Sequence, residues 1–149
     1  MNQHSCGLGL VRWVGAVGVL LLSVLSAQGE STDHQGFHAV TTDDKNIETE
    51  LQRAVFYYEE KLNETSFIPH ELDTLPVKRG SAVVQVKFRS IKQIEFTPGQ
   101  NDASRTVMIL LTNGKSGEFQ LAIAGSFKGI SEFGEVLVPV SGVKKVVFR

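Results

Sequence analysis

A pattern of alternating apolar residues is written twice in this chain, and it leaves little room for anything but β-structure. Val84-Gln85-Val86-Lys87-Phe88 leads through Arg89-Ser90-Ile91-Lys92 to Ile94-Glu95-Phe96; 52 residues later Val136, Val138, Val140, Val143, Lys144, Val146 and Phe148 stand at the matching positions without a gap. In an extended strand successive side chains point to opposite faces, so such alternation makes one apolar face and one polar face. β-Branched and aromatic residues fill the apolar positions, as a pleated, half-buried surface favours. Carried backwards, the same spacing pairs Arg53 with Arg105, Val55 with Val107 and Phe67 with Phe119. The halves 45–96 and 97–149 therefore read as one β-meander unit used twice. The expected class is all-β, a tandem pseudo-repeat packed as a sandwich or as paired small barrels.

Local signals agree in the second half and conflict in the first. Val107-Met108-Ile109-Leu110-Leu111 runs into Asn113-Gly114, a strong hairpin dipeptide, and Phe119, Leu121 and Ile123 alternate on a returning strand over 118–124. Gly125, Gly129 and Gly134 fall where turns with positive φ are expected. Between 47 and 62 two periods compete. Ile47, Leu51, Ala54, Val55, Tyr58 and Leu62 recur at three to four residues, as on one face of a helix. Val55-Phe56-Tyr57-Tyr58 is β-branched and aromatic, as in a strand. Periodicity leaves both open, and the repeat favours the strand.

Upstream of the β-rich region, 47–149, lie two segments of other character. Residues 1–29 carry Arg12 as their only charge, then the apolar run from Val14 to Leu25, then Ser26-Ala27-Gln28-Gly29. That is the pattern of a secretory signal peptide, and the run is shorter than the roughly 20 apolar residues of a membrane span. Cys6 precedes the apolar run, so it cannot be a lipoprotein's acylated cysteine. Residues 30–46 are polar, with no apolar run beyond Ala39-Val40, and read as a flexible leader. The expected location is exported, periplasmic or extracellular.

After cleavage the chain holds no cysteine, so its fold rests on a hydrophobic core and not on disulfides, which favours a bacterial envelope over a eukaryotic secretory setting. Without Arg12 it carries 14 basic and 16 acidic residues, interspersed, with no basic footprint for nucleic acid or anionic lipid.

A strand, a short turn and a further strand, as in 84–96 and 136–148, resembles the closing element of SH3-like and Sm-like small barrels. With Leu110-Leu111-Thr112-Asn113-Gly114 and Gly129-x-Ser131-x-Phe133-Gly134-Glu135-x-x-Val138-Pro139-Val140, the span 50–149 also resembles exported bacterial β-domains of uncharacterised function. That resemblance implies an exported β-module and brings no catalytic motif.

Residues with chemistry to offer are few. His34 and His38 stand four apart beside Asp33, a ligand spacing on a helix, yet Gly36 and polar neighbours argue for solvated histidines. His70, after Pro69, reads as a loop residue. There is no Gly-x-Ser-x-Gly elbow, no phosphate-binding glycine loop and no calcium-loop spacing. No catalytic, cofactor-binding or metal-ligating residue is assigned, and no cofactor. Glu59, Glu60, Glu64, Glu71 and Asp73 read as a solvated acidic face before Lys78-Arg79, Asn63-Glu64-Thr65 matches a glycosylation acceptor, and Tyr57, Tyr58, Phe127 and Phe133 are aromatic anchors for either core or partner.

The reading is an exported, non-enzymatic binding or structural module of the cell envelope. Its partner is expected to be another envelope protein or polymer, with no nucleic acid and no membrane span after cleavage. The rivals are a small metal-dependent or hydrolytic periplasmic enzyme and an Sm-like nucleic-acid binder. Mass spectrometry of the chain from its native host should find an N-terminus at Glu30 or Gln28, whereas full-length chain in the membrane fraction would replace export with anchoring.

Overall fold

The computed structural model describes residues 36–98 and 105–149. Residues 1–29, read from the sequence as a signal peptide, and His34 lie outside the described residues. Eleven strands follow one another: β1 (Phe37–Asp43), β2 (Glu48–Lys61), β3 (Phe67–Leu72), β4 (Thr74–Arg79), β5 (Ala82–Lys87), β6 (Ile91–Phe96), β7 (Thr106–Leu111), β8 (Ser116–Leu121), β9 (Ser126–Ser131), β10 (Gly134–Pro139) and β11 (Val143–Phe148). One-turn 3₁₀ helices at Phe88–Ser90 and Val140–Gly142 join β5 to β6 and β10 to β11. All form one open antiparallel sheet in the order β10-β9-β2-β1-β11-β6-β7-β8-β4-β5, with β3 branching from β2.

The all-β class holds, but the division into a first and a second unit does not describe the sheet. β9 pairs with β2 and β8 with β4, so strands of the two sequence halves interleave, and separate barrels built from 45–96 and 97–149 are excluded. The symmetry present is of another kind. β6 and β11 pair antiparallel with Val146 opposite Ile94, its counterpart 52 residues away. About this point the runs β6-β7-β8-β4-β5 and β11-β1-β2-β9-β10 have the same strand order.

Equivalent hydrogen bonds fix the correspondence. Phe88 N donates to Asp73 O, as Val140 N does to Gly125 O 52 residues on. Asp43 N donates to Ile47 O and Leu111 N to Lys115 O, a separation of 68 residues. The turns of these two hairpins each place one residue in the left-handed region, Asn46 (φ 62) and Gly114 (φ 85), which Gly and Asn tolerate best. Thus Val107, opposite Phe96 in β6, corresponds to Ala39, opposite Phe148 in β11, and not to Val55. The sequence pairings of Arg53 with Arg105 and Phe67 with Phe119 fail for the same reason.

Of three further expectations two give way, and the strand favoured over 47–62 holds. The leader predicted over 30–46 is strand from Phe37, with Ala39, Val40 and Thr41 buried. The 47–62 segment is β2, and its helix-like spacing comes from a bulge: register shifts between Gln52 and Val55 where Arg53 takes φ 54. One extra residue turns the period of two into Leu51, Ala54, Phe56, all buried, while Ile47 and Leu62, needed for a helix face, are exposed. Of the three glycines expected at positive φ only Gly134 has it; a Cβ on Gly129 would lie 2.8 Å from that of Leu51, so this glycine admits β2 at close range.

The sheet is strongly curled. β9 and β6 are four strands apart, about 19 Å in a flat sheet, yet the Phe127 and Phe96 rings lie 6.1 Å apart. Phe127 also meets Phe56 at 5.9 Å and Phe88 at 6.3 Å, so one ring packs against β2, β6 and the 3₁₀ turn between β5 and β6. Arg105 is buried above it, donating to the carbonyls of Thr97 and Val140 with its guanidinium 5.2 Å from the Phe96 ring. Phe127→Ala should cost about 3–5 kcal/mol. Because the core is continuous across both runs, calorimetry should show one transition, lowered as a whole; two transitions would contradict the shared core.

Candidate functional site

β5 carries the same inward alternation as β10, and the apolar face of each of these edge strands is only partly covered, Val136 and Val138 being half-buried. Leu75 and Val77 of β4 are fully buried, while across the pair Val86 is half-buried and Val84 is 38% exposed. The space in front of them is a groove of about 420 Å³. Val84 and Val86 form one wall, and Ile109, Leu111 and Phe119 of the β7–β8 hairpin form the other. Gly117 keeps the groove floor low, since a Cβ there would lie 2.9 Å from the Phe119 ring.

Its rim is cationic. Arg79 at the end of β4, Lys87 at the end of β5 and Lys115 in the β7–β8 turn line it, and among the described residues no Asp or Glu does. Arg79 lies 5.9 Å over the Phe119 ring, which anchors the stem while the charge stays exposed. The structurally equivalent positions of the other run are Ser131, Pro139 and Ile47. All three charges therefore belong to one run only, at places where the fold itself does not ask for them.

The chemistry this arrangement offers is non-covalent: apolar walls for hydrocarbon and three cations for anionic groups. A larger recess of about 560 Å³ lies by Thr42, Asp44, Asn46, Glu95, Lys144 and Lys145. Its walls carry both signs of charge, and Lys144 already donates to Asn46, so it favours no ligand charge.

Among the described residues, the histidines singled out in the sequence lie apart. His38 sits in β1, 3.9 Å from Glu50, and His70 in β3, not in a loop, stacked on Tyr58 at 4.7 Å with Nε2 2.9 Å from Glu60. Both strands flank β2, but at the level of Leu51 and of Tyr58, roughly 20 Å apart along it. Among the described residues no three His, Asp or Glu side chains converge as metal ligands.

Three of the five acidic residues of the stretch meet polar partners on the surface. Glu59 accepts from the Tyr57 hydroxyl at 2.6 Å, Glu60 faces His70, and Glu71 holds Lys128, which also lies 3.4 Å from Glu135 and 5.5 Å over the Tyr57 ring. Asn63 folds back on Thr65 at the β2–β3 tip. Phe127 is core, whereas Phe133 at the β9–β10 tip is fully exposed. The groove itself was missed because Val84 and Val86 read as core; the available signal was the run of Lys78, Arg79 and Lys87 around them.

An all-β sheet with one open, cation-rimmed groove is the class of protein so defined. The model of a family described as "Uncharacterised protein" matches residues 41–149, and the chain belongs to that family. No curated protein matches it.

The hydrogen bond to Glu59, then partial burial and the Glu59 charge, raise the Tyr57 pKa; the hydrogen bond to Glu71 raises that of Lys128. Folded values above the ordinary 10.0 and 10.5 mean that this support is complete below them and is lost as pH rises through the folded values. In Tyr58→Phe protein, which retains one tyrosine, spectrophotometric titration should give a midpoint above that of free tyrosine. Adding Glu59→Gln should bring it down.

Proposed function

We propose that this chain is an exported, non-enzymatic binding module of the cell envelope, and that the groove between β5 and the β7–β8 hairpin is where it binds. The observation that carries the reading is the exposure of Val84 and Val86 beneath Arg79, Lys87 and Lys115. In β4, β6 and β7 such alternating positions are buried, whereas in the two edge strands, β5 and β10, they are only partly covered. Leaving apolar surface open costs about 25 cal/mol for every Å² that could have been covered, a cost that a bound ligand would offset. The cations select for negative charge on that ligand. Export rests on the apolar run after Arg12, and the strand-turn-strand elements at 82–96 and 134–148 support kinship with small-barrel binding domains. The absence of excess positive charge over the chain as a whole speaks against nucleic acid.

Anilinonaphthalene sulfonate, an anionic aromatic dye, tests the groove directly. The native full chain should enhance its fluorescence, and the Arg79→Glu/Lys115→Glu variant should lose most of that enhancement while keeping its unfolding transition. Equal dye binding by the two proteins would remove the groove from consideration.

A further inference from the structure

We propose that the ligand of the groove is an extended acidic segment of a partner protein, which adds to β5 as a further strand. This rests on the groove-binding reading above and goes further in naming the ligand's backbone as the recognised group. β5 is the last strand of the sheet, and the directions of its peptide groups follow from its neighbours. Pro76 O accepts from Ala122 N, so Pro76 faces β8. Peptide groups alternate along a strand, so Leu75 and Val77 face β5 and bond their register partners Val86 and Val84. Asp73 O accepting from Phe88 N continues the same alternation. Val83, Gln85 and Lys87 are left with N–H and C=O groups directed outward along an open edge.

The other end of the sheet shows what a closed edge looks like in this fold. At the position equivalent to Lys87, β10 has Pro139, and Val140 N bonds Gly125 O just as Phe88 N bonds Asp73 O. Pro139 therefore turns its missing N–H outward, a common way of blunting an edge against added strands. The backbones match closely, with φ −67 and ψ 132 at Lys87 against φ −59 and ψ 138 at Pro139. β10 has lost one of its three outward donors, those of Glu135, Leu137 and residue 139, whereas β5 has kept all three, at the edge that also borders the apolar groove and its cations. An added strand would bond to Gln85 and Lys87, lay every second side chain against Val84 and Val86, and bring carboxylates to Arg79 and Lys115. That is β-augmentation, in which main-chain bonds supply affinity and side-chain contacts supply specificity.

The test uses the full chain and a capped heptapeptide of alternating valine and glutamate, its affinity read by competition with the dye. Lys87→Gln removes the charge and keeps the amide; Lys87→Pro removes both in a backbone that already suits proline. The proline variant should bind the peptide about five- to tenfold more weakly than the glutamine variant, as one hydrogen bond predicts. In the wild-type chain, the peptide methylated on alternate amide nitrogens should compete at least about tenfold less well than its parent, a comparison that needs no variant to fold. Hydrogen exchange at Gln85 and Lys87 should slow when the parent peptide binds. Equal affinities for the two Lys87 variants, or unchanged exchange at those amides, would overturn strand addition. Displacement of the dye by dodecanoate but not by the peptide would overturn it too, in favour of a fatty anion, while leaving the groove reading intact. Failure of the dye to bind at all would overturn the groove reading itself.

Discussion

The antiparallel pairing of β6 with β11 is the joint on which the rest of the molecule depends. Val146 lies opposite Ile94, both fully buried, and Lys145 and Val147 lie opposite Glu95 and Gln93. Each strand's other neighbour is a hairpin strand, β7 for β6 and β1 for β11, so this one ladder holds two five-stranded runs edge to edge. Without it, each run would end in an open strand of apolar residues and would bury too little surface to be more than marginal alone. With it, the sheet can curl until Phe127 from one run reaches Phe96 and Phe88 from the other. Ring packing then opposes any flattening of the sheet, and the curl sets the distance between β5 and the β7–β8 hairpin that defines the groove.

Two runs with the same strand order and equivalent hydrogen bonds form an internal control on which features the fold requires. Val140 and Phe88, Val143 and Ile91, Val146 and Ile94 are buried in both runs, so those positions answer to packing. Arg79, Lys87 and Lys115 against Ser131, Pro139 and Ile47 differ in charge and in backbone donors without any change in strand order. A residue type that one run needs and its equivalent does not is a residue kept for something other than folding. The same comparison separates the two hairpin tips: Phe133 is exposed where the other run has Ser81, so the runs carry different surfaces on one frame.

How much of this was legible in the sequence depends on how far local pattern decides structure. The closing elements could be read because Ile91-Ile94-Phe96 and Val143-Val146-Phe148 carry the same three-then-two spacing, each with a register shift at its start, between Ile91 and Gln93 and between Val143 and Lys145. Leu51-Ala54-Phe56 has that spacing through a bulge as well, at Arg53, and there, without a second copy at the same offset to compare, the bulge imitates helical period over one turn. β1 was hidden by composition: His38, Thr41, Thr42 and Asp43 read as leader, although tertiary pairing on both sides buries Thr41. Its equivalence to β7 was beyond local reading, since His-Ala-Val-Thr-Thr and Thr-Val-Met-Ile-Leu share little except the turn residues Asn46 and Gly114 that follow. The groove was illegible for the opposite reason. Val84 and Val86 have the pattern of buried residues, and only the curled sheet shows that they are left partly uncovered.

Open strand edges carry a general hazard, because they offer unpaired donors and acceptors to any passing chain, including another copy of the same one. The two ends of this sheet meet that hazard with different chemistry. At β10 Pro139 removes a donor, which discourages every added strand alike. At β5 the donors remain, and Lys78, Arg79 and Lys87 stand along β4 and β5. Charge discriminates where proline does not: two β5 edges brought together would set like charges against each other, whereas an acidic strand would be attracted. In the proposed strand addition, the same side chains that would repel a second copy define which segment the edge can accept. A groove proposed to admit a partner strand is guarded better by lysine and arginine than by proline, and that is the arrangement on the β5 edge beside it.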